Sequence, residues 1–152
     1  MGMGMKRTAM KMTVSPTVQV LPPQYSNRLF RSSFSTCFSV YLAARNELWW
    51  CAALALLVLL TSLNYWRDPV VGWRRTVDMV AVFLGMAYHI YCSTFCEQRV
   101  YQAFYLLFVL KTAYCYMRAR EAPNKDVSSA WHCGVHIVGN LANMLLYTGL
   151  AV

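Results

Sequence analysis

Four runs of apolar residues, separated by short polar connections, dominate the pattern of hydrophobic and polar positions after residue 47. They cover residues 48–62, 77–95, 100–117 and 130–152. Each run approaches or reaches the length of about 17–25 residues with which an α-helix crosses a bilayer. None alternates polar and apolar residues with period two, as membrane barrel strands do. Because short connections make neighbouring helices antiparallel, the pattern predicts an all-α, integral membrane, up-down-up-down four-helix bundle over residues 48–152.

The composition agrees with a membrane protein, since 58% of the residues are hydrophobic and only 13% are charged. A soluble domain carries about a quarter charged residues, and a disordered chain combines low hydrophobicity with high charge. The net charge of +8 comes from residues in an N-terminal tail and in the connections, where basic residues flank membrane spans. The expected partners are therefore membrane lipids and other membrane subunits, and no nucleic acid is expected.

The basic residues also predict an orientation. The two longer connections, residues 66–76 and 118–129, share one side of the membrane, called side B here. The N-terminus, the turn at residues 96–99 and the C-terminus are expected on the opposite side A. Side B carries six basic residues: Arg67, Arg74, Arg75, Arg118, Arg120 and Lys125. Side A carries four: Arg28, Arg31, Arg45 and Arg99. This excess favours side B facing the cytoplasm or its equivalent.

The first 47 residues divide into a flexible basic tail, residues 1–26, and an amphipathic segment, residues 27–47. In the second part, Phe30, Phe34 and Phe38 recur at helical spacing opposite Arg28 and Ser32. This pattern is typical of a helix that lies on the bilayer surface. A basic, serine-rich and acid-poor start is also typical of an organellar transit peptide that is later removed. Both interpretations stay open, and the second would place the protein in an organellar membrane such as that of the mitochondrion.

Polar residues form a stripe on each of two predicted spans, because their spacing follows the helical repeat. The stripe on the last span is His132, His136, Asn140, Asn143 and Tyr147. The stripe on the second span is Asp78, Gly85, His89, Cys92 and Cys96. Polar side chains in hydrocarbon usually face the bundle interior, so we expect both stripes to point inward. On the third span, Lys111 either snorkels to side B or pairs with Asp78.

Two interpretations of the histidines follow from their spacing. Imidazoles at positions i and i+4, as in His132 and His136, point the same way and are a common metal-binding arrangement. From the helical rise, Ser62, Asp78 and the two histidines share one level near side B, and His89 lies deeper. A metal would need Asp78 or His89 as a third ligand, and zinc is the candidate. The alternative is that these side chains form hydrogen bonds between helices.

Ser62, Asp78 and the pair in His132-Cys-Gly-Val-His136 resemble the motifs of the CREST superfamily of membrane hydrolases. That superfamily includes the alkaline ceramidases and the progestin and adipoQ receptors. The resemblance implies zinc on the histidines, Asp78 as the base that holds the attacking water or as a ligand, and Ser62 as the oxyanion donor. The substrate would be a lipid amide or ester. Trp66 stands where the family has a third histidine, and the family has seven helices instead of four.

Three functions are consistent with these features. The first is a structural or assembly subunit of a membrane complex, in which the polar stripes serve as interhelical hydrogen bonds. The second is a metal-dependent membrane hydrolase or a degenerate relative of one. The third is a b-type haem protein with His89 and His136 as axial ligands, which the difference in their depth disfavours.

Overall fold

The computed structural model describes residues 19–151, and its regular structure is α-helical. Within this range six helices follow one another: α1 Pro23–Ser33, α2 Thr36–Arg45, α3 Trp49–Trp66, α4 Trp73–Ser93, α5 Arg99–Glu121 and α6 Lys125–Ala151. Between residues 19 and 151 the β-structure is limited to an isolated bridge from Gln19 to Val70. The all-α prediction is confirmed. Helices α3 to α6 correspond to the four predicted apolar runs, with ends that differ by a few residues.

Two of these helices, α3 and α4, are long and apolar enough to cross a membrane by length and composition. Helices α5 and α6, with 23 and 27 residues, exceed the required length. Among residues 19–151, neither α5 nor α6 contains an 18-residue stretch as apolar as those of α3 and α4, because α5 contains Lys111 and ends in two arginines, and α6 carries the imidazoles and amides of the polar stripe.

Helices α1 and α2 form an additional layer that the four-helix prediction lacks. Arg28 lies beside Asp126, Ser32 beside His136 and Asn46 beside Tyr147. Because the residue numbers on both sides rise together, the α1–α2 segment runs parallel to α6. Residues 23–45 extend over about 34 Å at the helical rise, close to the thickness of a hydrocarbon core. The structure thus lays residues 27–47 along the bundle, and a helix on the bilayer surface stays a prediction.

The beginning of the described chain lies at side B, where α6 also begins. The backbone N–H of Val20 donates to the carbonyl of Pro69 in the α3–α4 connection, at 2.8 Å. Leu21 packs with Tyr65 and Trp66 at the end of α3. The predicted position of the N-terminus at side A falls on residues 1–18, outside the described part of the chain. The α1–α2 segment places Arg28 at the end of the bundle that holds the α3–α4 connection, called side B, whereas the sequence analysis expected it at side A.

The core lies where α6 meets α2 and α5. Tyr105, Leu146 and Tyr147 are almost completely buried there. Near its C-terminal end, α6 approaches α5 so closely that a Cβ atom built on Gly149 would overlap the side chain of Tyr101. A glycine at this position permits the close approach of the two helices. This contact fixes the last turns of α6, including Tyr147, whose hydroxyl is hydrogen-bonded to His89 on α4.

Candidate functional site

Asp78 and Ser62 lie together, at the level that the helical rise predicts. The Ser62 hydroxyl donates to Asp78 Oδ1 at 2.6 Å, and the Thr61 hydroxyl donates to the same oxygen at 3.1 Å. Asp78 and Ser62 are both buried, at 9% and 7% exposure. Lys111 is exposed and makes no ion pair within the described chain. The buried carboxyl group is therefore held by two hydroxyl groups of α3 and not by a lysine.

His132 and His136 form a pair that Trp66 covers. The two imidazole centroids are 5.2 Å apart, and the Trp66 ring lies 5.1 Å from His132 and 6.5 Å from His136. His136 Nδ1 is hydrogen-bonded to the Ser32 hydroxyl at 2.7 Å. Trp66 is 7% exposed, and its indole N–H has no hydrogen-bond partner among residues 19–151. Trp66 thus occupies the position beside the histidines where a third ligand would be needed.

His89 is held at a different level of the bundle. Its Nδ1 contacts the Gly85 carbonyl at 2.6 Å, and its Nε2 contacts the Tyr147 hydroxyl at 2.7 Å. Because a carbonyl only accepts, Nδ1 carries the proton and Nε2 accepts from the tyrosine. Tyr147 follows His136 by eleven residues, which is about 16 Å along α6. His89 and His136 therefore do not face each other, and the structure does not support them as the axial ligands of a haem.

The four proposed metal ligands are distributed over three places. Asp78 bonds to α3, His89 bonds to Tyr147, and His132 and His136 lie under Trp66. Within residues 19–151 no three His, Cys, Asp or Glu side chains are close enough to hold a metal ion together. The structure therefore brings His132 and His136 together, but neither Asp78 nor His89 lies beside them as a third ligand. Zinc binding stays a prediction.

Asn140 is the most extensively bonded side chain of the stripe. Its amide N–H₂ lies 3.1 Å from the hydroxyls of Ser35 and Thr36 and 2.6 Å from the His136 carbonyl. Its amide oxygen accepts from Ser39 at 2.6 Å. We call this set of contacts between α6 and the N-terminal helices the polar seam. Its members are Ser32, Ser35, Thr36, Ser39, His136 and Asn140.

The serine and threonine members of the polar seam are not among the site residues predicted from the sequence. Their signal was present, because hydroxyl residues recur at helical spacing over residues 32–39. That spacing was assigned to a surface facing water, and in the structure Thr36 and Ser39 are buried against α6. Asn143, by contrast, belongs to the predicted stripe but makes no side-chain hydrogen bond among the described residues and is half-buried.

The cysteines of the second stripe pack as small apolar side chains. Cys92 and Cys96 are buried in the main core together with Cys51, and all three are free thiols. A free cysteine that is buried in this way behaves as a small hydrophobic residue.

No family model, curated protein or solved structure matches this chain. The resemblance to the CREST superfamily therefore depends on the motif residues alone and stays a prediction.

Proposed function

We propose that the chain is a small multi-pass membrane protein that serves as a structural or assembly subunit of a membrane complex. The observation that carries this proposal is the inverted polarity of the N-terminal helices. Phe38 and Tyr41 point outward, with 65% and 62% of their surface exposed, whereas Ser33 and Ser39 are almost completely buried. A soluble protein buries its aromatic side chains and exposes its serines. The opposite arrangement is stable when the surroundings are hydrocarbon.

The remaining outer surface has the same character. Phe83 on α4 and Leu110 on α5 are 63% and 68% exposed on long apolar helical faces. Exposed tryptophans mark both ends of the bundle, with Trp49 and Trp50 at the side A end of α3 and Trp73 at the side B end of α4. Tryptophan is enriched at the two interfaces of a membrane. These features support a bundle that crosses the bilayer.

The structural role is supported by what the polar residues do. Asp78, His89 and Asn140 each have partners from a neighbouring helix of the same chain. Such bonds join helices and fix their register in a membrane, where apolar side chains alone give no preference for protein over lipid. A protein whose buried polar groups are used in this way is suited to holding a defined shape among other membrane subunits.

Extraction and native electrophoresis test this proposal. We expect the full-length chain to remain in membranes washed with alkaline carbonate and to be released by detergent. In a mild detergent it should migrate in an assembly much larger than its mass of 17.4 kDa, with another membrane protein in a fixed ratio. Release by carbonate would contradict membrane integration. A stable monomer in the mild detergent would contradict the role as a subunit.

A second candidate is a degenerate relative of the metal-dependent membrane hydrolases. Two observations favour it: the bond between Ser62 and Asp78, and the contact of Trp66 with both His132 and His136. The resemblance implies three zinc-binding histidines and an Asp that holds the attacking water, and Trp66 takes the place of one of the histidines. Zinc analysis of a Trp66→His variant tests this candidate, because the substitution supplies the third imidazole that a catalytic zinc requires.

A further inference from the structure

The parallel course of α1–α2 and α6 changes the distribution of charge between the two ends of the bundle. It places Arg28 at side B, where it bonds to Asp126 at 2.9 Å. The side B end then carries seven basic residues, which we call the side B collar: Arg28, Arg67, Arg74, Arg75, Arg118, Arg120 and Lys125. Side B also carries the acidic residues Asp68, Glu121 and Asp126, so seven basic and three acidic residues leave it at +4, whereas Arg45 and Arg99 at side A are balanced by Glu47 and Glu97. The asymmetry is therefore larger than the sequence analysis estimated.

Most of the side B collar has no carboxylate partner in an ion pair among residues 19–151. Arg28 pairs with Asp126, and Arg74 lies 3.5 Å from Asp68. The other five basic residues form no ion pair within the described chain and are exposed. The collar therefore presents an excess of positive charge that an external anion could neutralise.

Two tryptophans hold arginines of the collar at the end of the apolar surface. The Arg74 guanidinium lies 5.9 Å from the centre of the Trp73 ring, and the Arg118 guanidinium lies 5.7 Å from that of Trp131. Tryptophan occupies the level of the lipid headgroups in membrane proteins, and the stacking keeps each arginine beside it. The collar residues thus lie at the ends of several helices. A nucleic-acid site would instead gather its basic residues on one face or along one helix.

We propose that the side B collar binds the headgroups of anionic phospholipids in the leaflet where it lies. The inference depends on the proposed membrane location. Guanidinium groups donate paired hydrogen bonds to phosphate oxygens, and basic residues next to a span are attracted to anionic lipids. By the positive-inside rule, side B then faces the cytoplasm or its equivalent.

Thermal unfolding in mixed micelles tests the proposal with matched variants. The purified full-length chain is compared in a neutral detergent containing phosphatidylglycerol or the same amount of phosphatidylcholine. We expect phosphatidylglycerol to raise the melting temperature more, since a ligand of the folded state stabilises it. The double variant Arg118→Gln with Arg120→Gln should lose about half of this difference or more. The matched variant Arg45→Gln with Arg99→Gln at side A should retain it.

Several results would overturn the proposal. One is an equal rise in melting temperature with the two lipids. Another is that both double variants lose the difference between the lipids to the same extent. A third is a larger shift with a single-stranded oligonucleotide than with phosphatidylglycerol, which would assign the collar to nucleic acid. If the side B variant does not fold, native mass spectrometry of the unmodified protein decides: preferential retention of phosphatidylglycerol supports the collar, and equal retention of both lipids contradicts it. Carbonate extraction separately tests membrane integration, so the two failures are distinguishable.

Discussion

Substitution of Asn140 by leucine is expected to lower the free energy of unfolding by about 2 kcal/mol. Asn140 is 8% exposed and bonds to Ser35, Thr36 and Ser39. Leucine has a similar size but cannot accept from the Ser39 hydroxyl or donate to the other two. The buried hydroxyls of Thr36 and Ser39 would lose their bonds to the amide, and α1–α2 would separate from α6 more readily. Unfolding by sodium dodecyl sulfate, followed by tryptophan fluorescence in a mild detergent, measures the change.

Asn143→Leu is the matched control, because it makes the same chemical change one turn further along α6. Asn143 is half-buried and makes no side-chain hydrogen bond among the described residues. We expect the free energy of unfolding of this variant to lie within about 0.5 kcal/mol of that of the parent protein. Equal destabilisation by the two substitutions would show that the polar seam does not hold the N-terminal helices.

The Trp66→His variant is expected to bind about one zinc ion per chain and more zinc than the parent protein, in which the two imidazoles lack a third ligand beside them. Trp66 already contacts the imidazoles of His132 and His136, with ring centroids 5.1 and 6.5 Å away. A histidine at that position would supply a third nitrogen ligand and leave the fourth position of zinc to water. The substitution also removes the buried indole N–H, which has no partner in the described chain. Elemental analysis after dialysis against a weak chelator measures bound zinc.

Two controls accompany this variant. Trp66→Phe keeps an aromatic ring but offers no nitrogen, and Trp66→His combined with His132→Ala returns the site to two imidazoles. Neither should bind zinc stoichiometrically. If Trp66→His eluted as a folded particle and bound no more zinc than Trp66→Phe, the three side chains would not form a metal site. The hydrolase relationship would then lose its geometric support.

The sequence was sufficient to predict the apolar helices and the level of the residues near side B. Helical rise alone placed Ser62 and Asp78 at one level, and their hydrogen bond agrees with it. The same calculation separated His89 from His136. Contacts across helices could not be predicted, because spacing gives the depth of a residue and the face of its own helix but not which helix lies opposite. Tyr147 as the partner of His89 is an example.

The N-terminal segment shows why an amphipathic pattern alone does not predict what the polar face of a helix contacts. Phe30, Phe34 and Phe38 indicated a helix with one apolar and one polar face, and two environments satisfy such a pattern. At a bilayer surface the polar face contacts water. In the bundle it contacts the polar stripe of α6, and Phe34 and Phe38 point outward. The complementary stripe at His136 and Asn140 was visible in the same sequence. Cleavage of this segment as a transit peptide would remove those partners.

The most direct test of the account is the side of the membrane on which each end of α1–α2 lies. Single cysteines are introduced at Gln24→Cys, Glu47→Cys and Lys125→Cys, all exposed positions, and labelled in sealed vesicles with an impermeant maleimide. Labelling of the parent chain measures the background of the six native cysteines. We expect Gln24→Cys and Lys125→Cys to react from one side and Glu47→Cys from the other. Reaction of Gln24→Cys and Glu47→Cys from the same side would contradict the account.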